Sequence, residues 1–183
     1  MARFVGIDPS TKTGFVVLDE HGQVLRAKEL TGVGSEDPKR MATLIDEVMR
    51  HLQPDDVICI EGFGFASQQA IQLGGIGWGI RMALFRRGIP YIDVPPASMK
   101  KFATGRGNAK KDEMVLPIYR KWGFEHSSDN VRDAFVLAKI AAALRGDSDP
   151  TVQPNSLTTY QAEVLDAIVA PPEKKQKRKK VPK

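Results

Sequence analysis

The chain has 183 residues, 42% of them hydrophobic, with a formal net charge of +5 and one cysteine. That length fits a single domain with a real core, and one cysteine excludes a disulfide framework or a zinc cluster, so Cys59 in "DVICIEG" reads as a small buried thiol. The longest apolar runs, such as "VICI" and "AFVLAKIAAAL", fall short of the roughly 20 residues of a membrane span, and no signal-peptide pattern opens the chain, so a soluble cytoplasmic protein with no membrane partner is expected.

Three strand-like runs come first, "RFVGID", "GFVVLD" and "VLRAKEL", forming a short antiparallel meander that turns at "EHGQ". A helix follows in "DPKRMATLIDEVMRHLQ", with Asp37 expected as N-cap, Pro38 at the first helical position, and Met41, Leu44, Ile45, Val48 and Met49 at helical spacing. "DDVICIEG" is an apolar run ending in a carboxylate, the pattern of a central strand buried on both faces. "SQQAIQLGGIGWGIRMALFRRG" reads as a helix and "IPYIDV" as a last short strand. Three more helices are expected in "PASMKKFA", "AKKDEMVLPIYRKWG" (kinked or interrupted at Pro117) and "DNVRDAFVLAKIAAALRG". The expected division is one α/β domain over residues 1–146, a linker and short amphipathic segment over 147–170, and a disordered basic tail over 171–183. Hairpins mixed with crossovers imply an α/β fold whose five-stranded mixed sheet has order 3-2-1-4-5 and is flanked by helices.

Asp8 and Glu61 both end apolar strands, and that order would set them at the ends of neighbouring central strands, where sites form in open α/β sheets. "DPS" after the first strand is also a good turn starter, whereas a glutamate closing "VICI" has little structural reason to be there. At the start of the last large helix, Asp129, Asn130 and Asp133 fall on roughly one side, which continues as the core-facing stripe Val136, Leu137 and Ile140. Asp129 also suits a helix cap, but a charge on a core-facing stripe is costly unless paired. Carboxylates gathered at one sheet mouth repel each other unless a cation joins them. Oxygen donors without a His or Cys cluster point to Mg²⁺ or Mn²⁺ and to phosphodiester hydrolysis, commonly with two ions.

With "GIDPSTKTGFVV", "ICIEGFGFA", "TGRGNAKKDEMV" and "DNVRDAFVLA" in this order over residues 3–145, the chain resembles the RuvC-type Holliday-junction resolvases, in particular phage-like members. The resemblance implies a ribonuclease H-like sheet, two metal ions, and a homodimer that nicks two strands of a four-way or otherwise branched DNA. It implies that Asp8, Glu61 and Asp133 are metal-binding catalytic residues. The family's remaining helix ligand matches Asn130, with Asp129 one place earlier; Asp129 is taken as the fourth ligand and Asn130 as its alternate. The family's aromatic wedge falls on Gly64, so one of the flanking Phe63 and Phe65 is expected either to supply it or to be core. Lys100 and Lys111 match two lysines that contact DNA near the cut phosphate, and Lys111 is counted with the catalytic set.

The charge is unevenly placed. Residues 173–183 carry +6 and the rest of the chain −1, while residues 95–145 hold ten basic and five acidic side chains. Lys100, Lys101, Arg106, Lys110 and Lys111 surround a glycine-punctuated loop in which Asn108 is expected to cap the next helix, giving a nucleic-acid-binding patch or a solvated basic face. The tail suits a solvated end, a nuclear-import signal or a tether for DNA. His21, His51 and His126 have no ligand spacing. Gly74, Gly75, Gly77 and Gly79 each cost a helix up to about 1 kcal/mol, so a close backbone neighbour is expected at Gly75 and Gly79: a second subunit by the resemblance, or the chain's own sheet. Three other readings stand beside the resolvase: an RNA-processing nuclease of the same fold, a kinase-like phosphate-binding module (for which the chain is too short), and a non-catalytic DNA-binding module.

Overall fold

The computed structural model describes residues 2–63, 69–146 and 157–170. The chain begins with β1 (Phe4–Asp8), β2 (Thr13–Leu18) and β3 (Val24–Leu30), an antiparallel meander. After α1 (Lys39–His51), β4 (Val57–Glu61) returns parallel to β1, and after α2 (Ala70–Arg86), β5 (Ile92–Val94) pairs parallel with β4. The sheet order is β3-β2-β1-β4-β5, as the sequence predicts. β1 and β2 are buried throughout, which explains why neither shows an alternating pattern, whereas the edge strand β3 is mostly exposed.

Two cores sit on the two faces. Val5, Ile7, Ile58 and Ile60 pack with Leu44, Val48, Ile76, Ile80 and Leu84 of α1 and α2. The opposite face carries α5 (Asp129–Gly146), joined in one cluster with residues of α3 (Pro96–Thr104), α4 (Lys111–Trp122) and α6 (Thr159–Val169). α5 has apolar residues around its whole circumference because it is central to that layer. α6 packs on α3: Gln161 Nε2 donates to the Phe102 carbonyl at 3.3 Å, and Val164 and Leu165 are buried. The expected linker over 147–156 and the basic tail over 171–183 lie outside the described residues.

Three local expectations need correction. Asp37 does not cap α1; its carboxylate accepts from Arg40 at 3.0 Å and Gln72 at 2.5 Å, and Pro38 stands at the N-cap. Asn108 does not cap α4; Lys110 is the N-cap residue, and Glu113 reaches back to its N–H at 2.7 Å. Pro117 does not interrupt α4, which runs from Lys111 to Trp122. Within the chain, the neighbour that Gly75 and Gly79 admit is α1 rather than the sheet. A Cβ at Gly79 would lie 2.2 Å from Ile45 Cδ1, and one at Gly75 would lie 3.0 Å from Met41 Cε.

Candidate active site

β1 and β4 run side by side with Gly6 opposite Cys59 and Ile7 opposite Ile60, so Asp8 and Glu61 follow one step later at the carboxyl ends. Successive side chains alternate between sheet faces. Because Ile7 and Ile60 belong to the α1–α2 layer, Asp8 and Glu61 face α5. The turn after β1 is closed by Ser10 and Thr13, the Thr13 hydroxyl donating to the Ser10 carbonyl at 2.7 Å, so it does not depend on Asp8. α5 approaches the strand ends closely because two positions beneath it lack side chains. A Cβ at Gly6 would lie 1.8 Å from the Ala134 carbonyl oxygen, and one at Gly14, the register partner of Asp8, would lie 2.0 Å from that of Asn130. This seating brings Asp133 into the field of Asp8, both nearly buried.

The electrostatics follow from that crowding. Asp8 and Glu61 sit close enough for each to act on the other's carboxyl. Burial, then the charge of Glu61, pushes Asp8 well above the usual carboxylate range. Burial raises Glu61 too, with the Asp133 charge adding to it, against the contact with Asp8 and the charges of Lys111 and Lys100. Asp133 is pushed up to about 7, first by burial and then by Asp8. Asp129 is half-exposed and held low chiefly by its hydrogen bond from Lys111 Nζ. Burial alone would lower Lys111, but the bond to Asp129 and the charges of Asp129, Asp133 and Asp8 raise it instead. Lys111 is thus a cation set among four carboxylates.

Among the described residues no three Asp, Glu, His or Cys side chains form a ready-made metal cage. The donor set nevertheless suits a hard divalent cation: it is all oxygen, and the carboxyls of the buried Asp8 and Asp133 and the partly buried Glu61 are raised by desolvation and mutual repulsion, both of which a bound cation relieves. One consequence is measurable without DNA. The folded chain holds protons on these carboxyls above the pH, about 4, where an unfolded chain releases them. The stability tied to those protons is full below that pH and is lost as pH rises toward and through about 7, the value for Asp133. In EDTA the melting temperature should therefore fall between pH 5 and pH 8, and Mg²⁺ should restore it at pH 8. A flat profile with no response to Mg²⁺ would contradict this reading of the cluster.

The other residues singled out in the sequence divide. The Asn130 amide Nδ2 donates to Ser10 Oγ at 3.2 Å and to the Lys12 carbonyl at 2.8 Å, tying the start of α5 to the β1–β2 turn, while neighbouring Asp129 faces Lys111. Lys100 lies close enough to Glu61 to lower it. Lys101 turns away and pairs with Glu163 of α6 at 2.7 Å, and Arg106 pairs with Glu113 at 3.5 Å, leaving Lys110 exposed. Phe63 is packed against α2, stacked on Trp78 with ring centroids 5.3 Å apart and covered by the Arg81 guanidinium at 4.5 Å. Phe65 lies outside the described residues. His51 shares a 3.0 Å hydrogen bond with Arg26, and His126 Nδ1 accepts from the Ser128 N–H at 3.0 Å, so both are structurally engaged. Sequence reasoning passed over Arg81, although its position in "GIGWGIRMALF" was a signal: a lone cation in an apolar helix has to find partners indoors.

A 3-2-1-4-5 mixed sheet with acidic residues converging from β1, β4 and α5 is the architecture of the ribonuclease H-like proteins. The family model described as crossover junction endodeoxyribonuclease RuvC matches residues 4–139. The chain belongs to that family. Crossover junction endodeoxyribonuclease RuvC of Chloroflexus aggregans is 32% identical over 147 residues, which is 74% of this chain and 90% of that protein. Its counterpart from Synechococcus sp. (strain WH7803) is 26% identical over 146 residues, covering 74% and 95%. The Thermus thermophilus RuvC structure superposes with a TM-score of 0.64 at 21% identity over 78% of this chain and 95% of that one. The T. thermophilus RuvC in complex with Holliday junction substrate gives 0.58 at 20% identity over 77% and 92%. At these identities the two structures speak for the fold.

Proposed function

We infer that this chain is a structure-specific endodeoxyribonuclease that resolves Holliday junctions by hydrolysing phosphodiesters with divalent metal ions. The observation that carries the reading is the meeting of Asp8, Glu61 and Asp133 at the carboxyl ends of β1 and β4, in a chain of this family. Asp8, Glu61, Asp133 and Asp129 would hold two ions, Mg²⁺ or Mn²⁺. Asn130 is less suited, because its amide is engaged by the β1–β2 turn. When bound, such ions activate water and stabilise the leaving oxygen. Asp129, held by Lys111 in this structure, would turn to a bound ion, and Lys111, with Lys100, Lys110 and Arg106, would supply positive charge to the phosphate. Lys101 is less available because Glu163 neutralises it. The packed Phe63 does not suit a wedge while it lies between Trp78 and Arg81.

The test is a panel of four-way junction, duplex, flap, single-stranded DNA and RNA, with Mg²⁺ and with EDTA. Paired nicks in the four-way junction, dependent on metal, are expected. Equal cutting of plain duplex, or a preference for RNA, would refute the reading and favour the RNA-processing alternative.

The active form is a homodimer built on α2, but through a different stripe from the glycines named in the sequence. Ile71, Trp78, Met82 and Phe85 are 95, 56, 49 and 83% exposed, an apolar row along one side of the helix with Gly74 open between them. So much apolar surface in one place is a docking face, and paired nicking calls for a second copy. Sedimentation should report twice the chain mass at micromolar concentration. Phe85→Glu should give a folded monomer that has lost paired nicking; a wild-type monomer that still nicks in pairs would remove the argument.

A further inference from the structure

Arg81 is 2% exposed in the middle of α2, and its guanidinium reaches three elements. Nε and Nη2 donate to Asp93 Oδ1 on β5 at 2.9 and 2.6 Å, and Nη1 donates to the Gly77 carbonyl at 3.0 Å. Nη2 also donates to the main-chain carbonyl of Glu61 at 2.9 Å. Its Cζ lies 4.5 Å from the centre of the Phe63 ring, two residues after Glu61. Burying a cation is costly, and its ionic partner Asp93 is 57% exposed, so ion pairing alone is a poor reason for the arrangement. What the guanidinium achieves is geometric. On the β5 side Glu61 is still held in the ladder, paired with Val94 and followed by the Gly62 N–H donating to the Val94 carbonyl at 2.8 Å, but on the β1 side the last register pair is Ile7 with Ile60. On that open side no strand partner holds Glu61, and the arginine fork takes its carbonyl instead.

We propose that Arg81 is a positioning residue of the active site, fastening the Glu61 carbonyl to α2 and β5 and so fixing the backbone from which the Glu61 carboxylate projects toward Asp8. The proposal rests on the reading of Glu61 as a metal-binding residue. It requires a planar fork with several donors, which lysine lacks. Arg81→Lys keeps the charge and most of the length but cannot serve Asp93, Gly77 and Glu61 together.

Mn²⁺ binding to the full chain, followed by the electron paramagnetic resonance signal of the free ion, reads the site without any reaction. Arg81→Lys should bind Mn²⁺ about tenfold more weakly, the scale of losing a supporting partner of a metal ligand. Single-turnover cleavage of a four-way junction should need correspondingly more Mn²⁺ for half its maximal rate. Junction affinity in EDTA, a readout that general loosening would disturb, should stay within twofold of wild type. Asp93→Asn, at a half-exposed position, should shift Mn²⁺ binding in the same direction by less, and it carries the test alone if Arg81→Lys does not fold. Wild-type Mn²⁺ affinity in every variant that folds overturns the proposal. So does a loss of metal binding that tracks an equal loss of junction affinity and melting temperature, or a wild-type chain that binds no Mn²⁺. A wild type that binds Mn²⁺ but cuts no branched DNA would instead refute the function and leave the metal-binding comparison to judge Arg81.

Discussion

Asp8→Asn should abolish junction cleavage while leaving junction binding nearly intact. The substitution keeps the shape of the side chain and removes its charge at the most crowded point of the cluster, where Asp8 interacts with Glu61, Asp129 and Lys111. An amide there offers one oxygen and no charge to a divalent ion. The rate should drop by at least about 10²- to 10³-fold, the scale seen when one preorganised electrostatic stabiliser is removed. In the proposed function the phosphates are held by lysines and arginines that this change leaves in place, so binding should change little. Glu61→Gln and Asp133→Asn should behave alike. Asp129→Asn should cost less, because Asp129 is half-exposed and its loss also frees Lys111. A second readout separates this account from simple damage. In EDTA at pH 8, Asp8→Asn should melt higher than wild type, since it removes one buried, mutually repelling carboxylate. An Asp8→Asn protein that cuts at near wild-type rate in Mg²⁺ would show that the metal site lies elsewhere.

The placement of Asp8 and Glu61 could be read before the structure because it follows from two local facts. An apolar run that stops at a carboxylate is a strand with a polar end, and hairpin and crossover rules leave few ways to order five such strands. Asp133 could be read because a charge on the inward stripe of a helix is out of place unless something faces it. The choice between Asp129 and Asn130 was not legible: both fall on the same side of one turn, and what divides them is the β1–β2 turn, 118 residues away from Asn130 at Lys12, which takes the amide. Lys100 and Lys101 look equivalent in the sequence, but they point about 100° apart on a helix, and α6 meets only the second. The glycines of α2 announce a close neighbour without naming it. Met41 and Ile45 fill those gaps, and the apolar row that stays exposed on α2 is the one marked by Trp78 and Phe85. Arg81 was missed because its three hydrogen-bonding partners come from β4, α2 and β5, and no spacing rule joins residues 61, 77 and 93.

Gly6→Ala should be among the most destabilising single changes in the chain, although it adds one methyl group to a strand. Alanine is tolerated in strands, and the backbone at Gly6 calls for no left-handed conformation, so the effect must come from packing alone. The added Cβ would lie 1.8 Å from the Ala134 carbonyl oxygen and 2.6 Å from the Ala138 nitrogen. Both are main-chain atoms of α5, so no side chain can swing aside and the helix itself must lift. Overpacking usually costs about 1–3 kcal/mol, and a backbone-on-backbone clash belongs at or above the top of that range. For a domain of this size, roughly 2–4 °C per kcal/mol makes that a fall of about 6–12 °C in melting temperature. The damage should also reach the site. Lifting α5 from β1 draws Asp133 away from Asp8, so cleavage should fall even at a temperature where the variant is fully folded, and Mg²⁺ should stabilise it less than it stabilises wild type. Gly14→Ala, whose Cβ would meet the Asn130 carbonyl at 2.0 Å beside Asp8, should show the same pair of effects with the loss of cleavage more pronounced, because the clash lies at the turn that carries Asp129 and Asp133. Calorimetry of the two variants with and without Mg²⁺, alongside single-turnover cleavage at 20 °C, measures both effects. If Gly6→Ala melts within a degree or two of wild type, α5 does not rest on β1 in the way that sets this site.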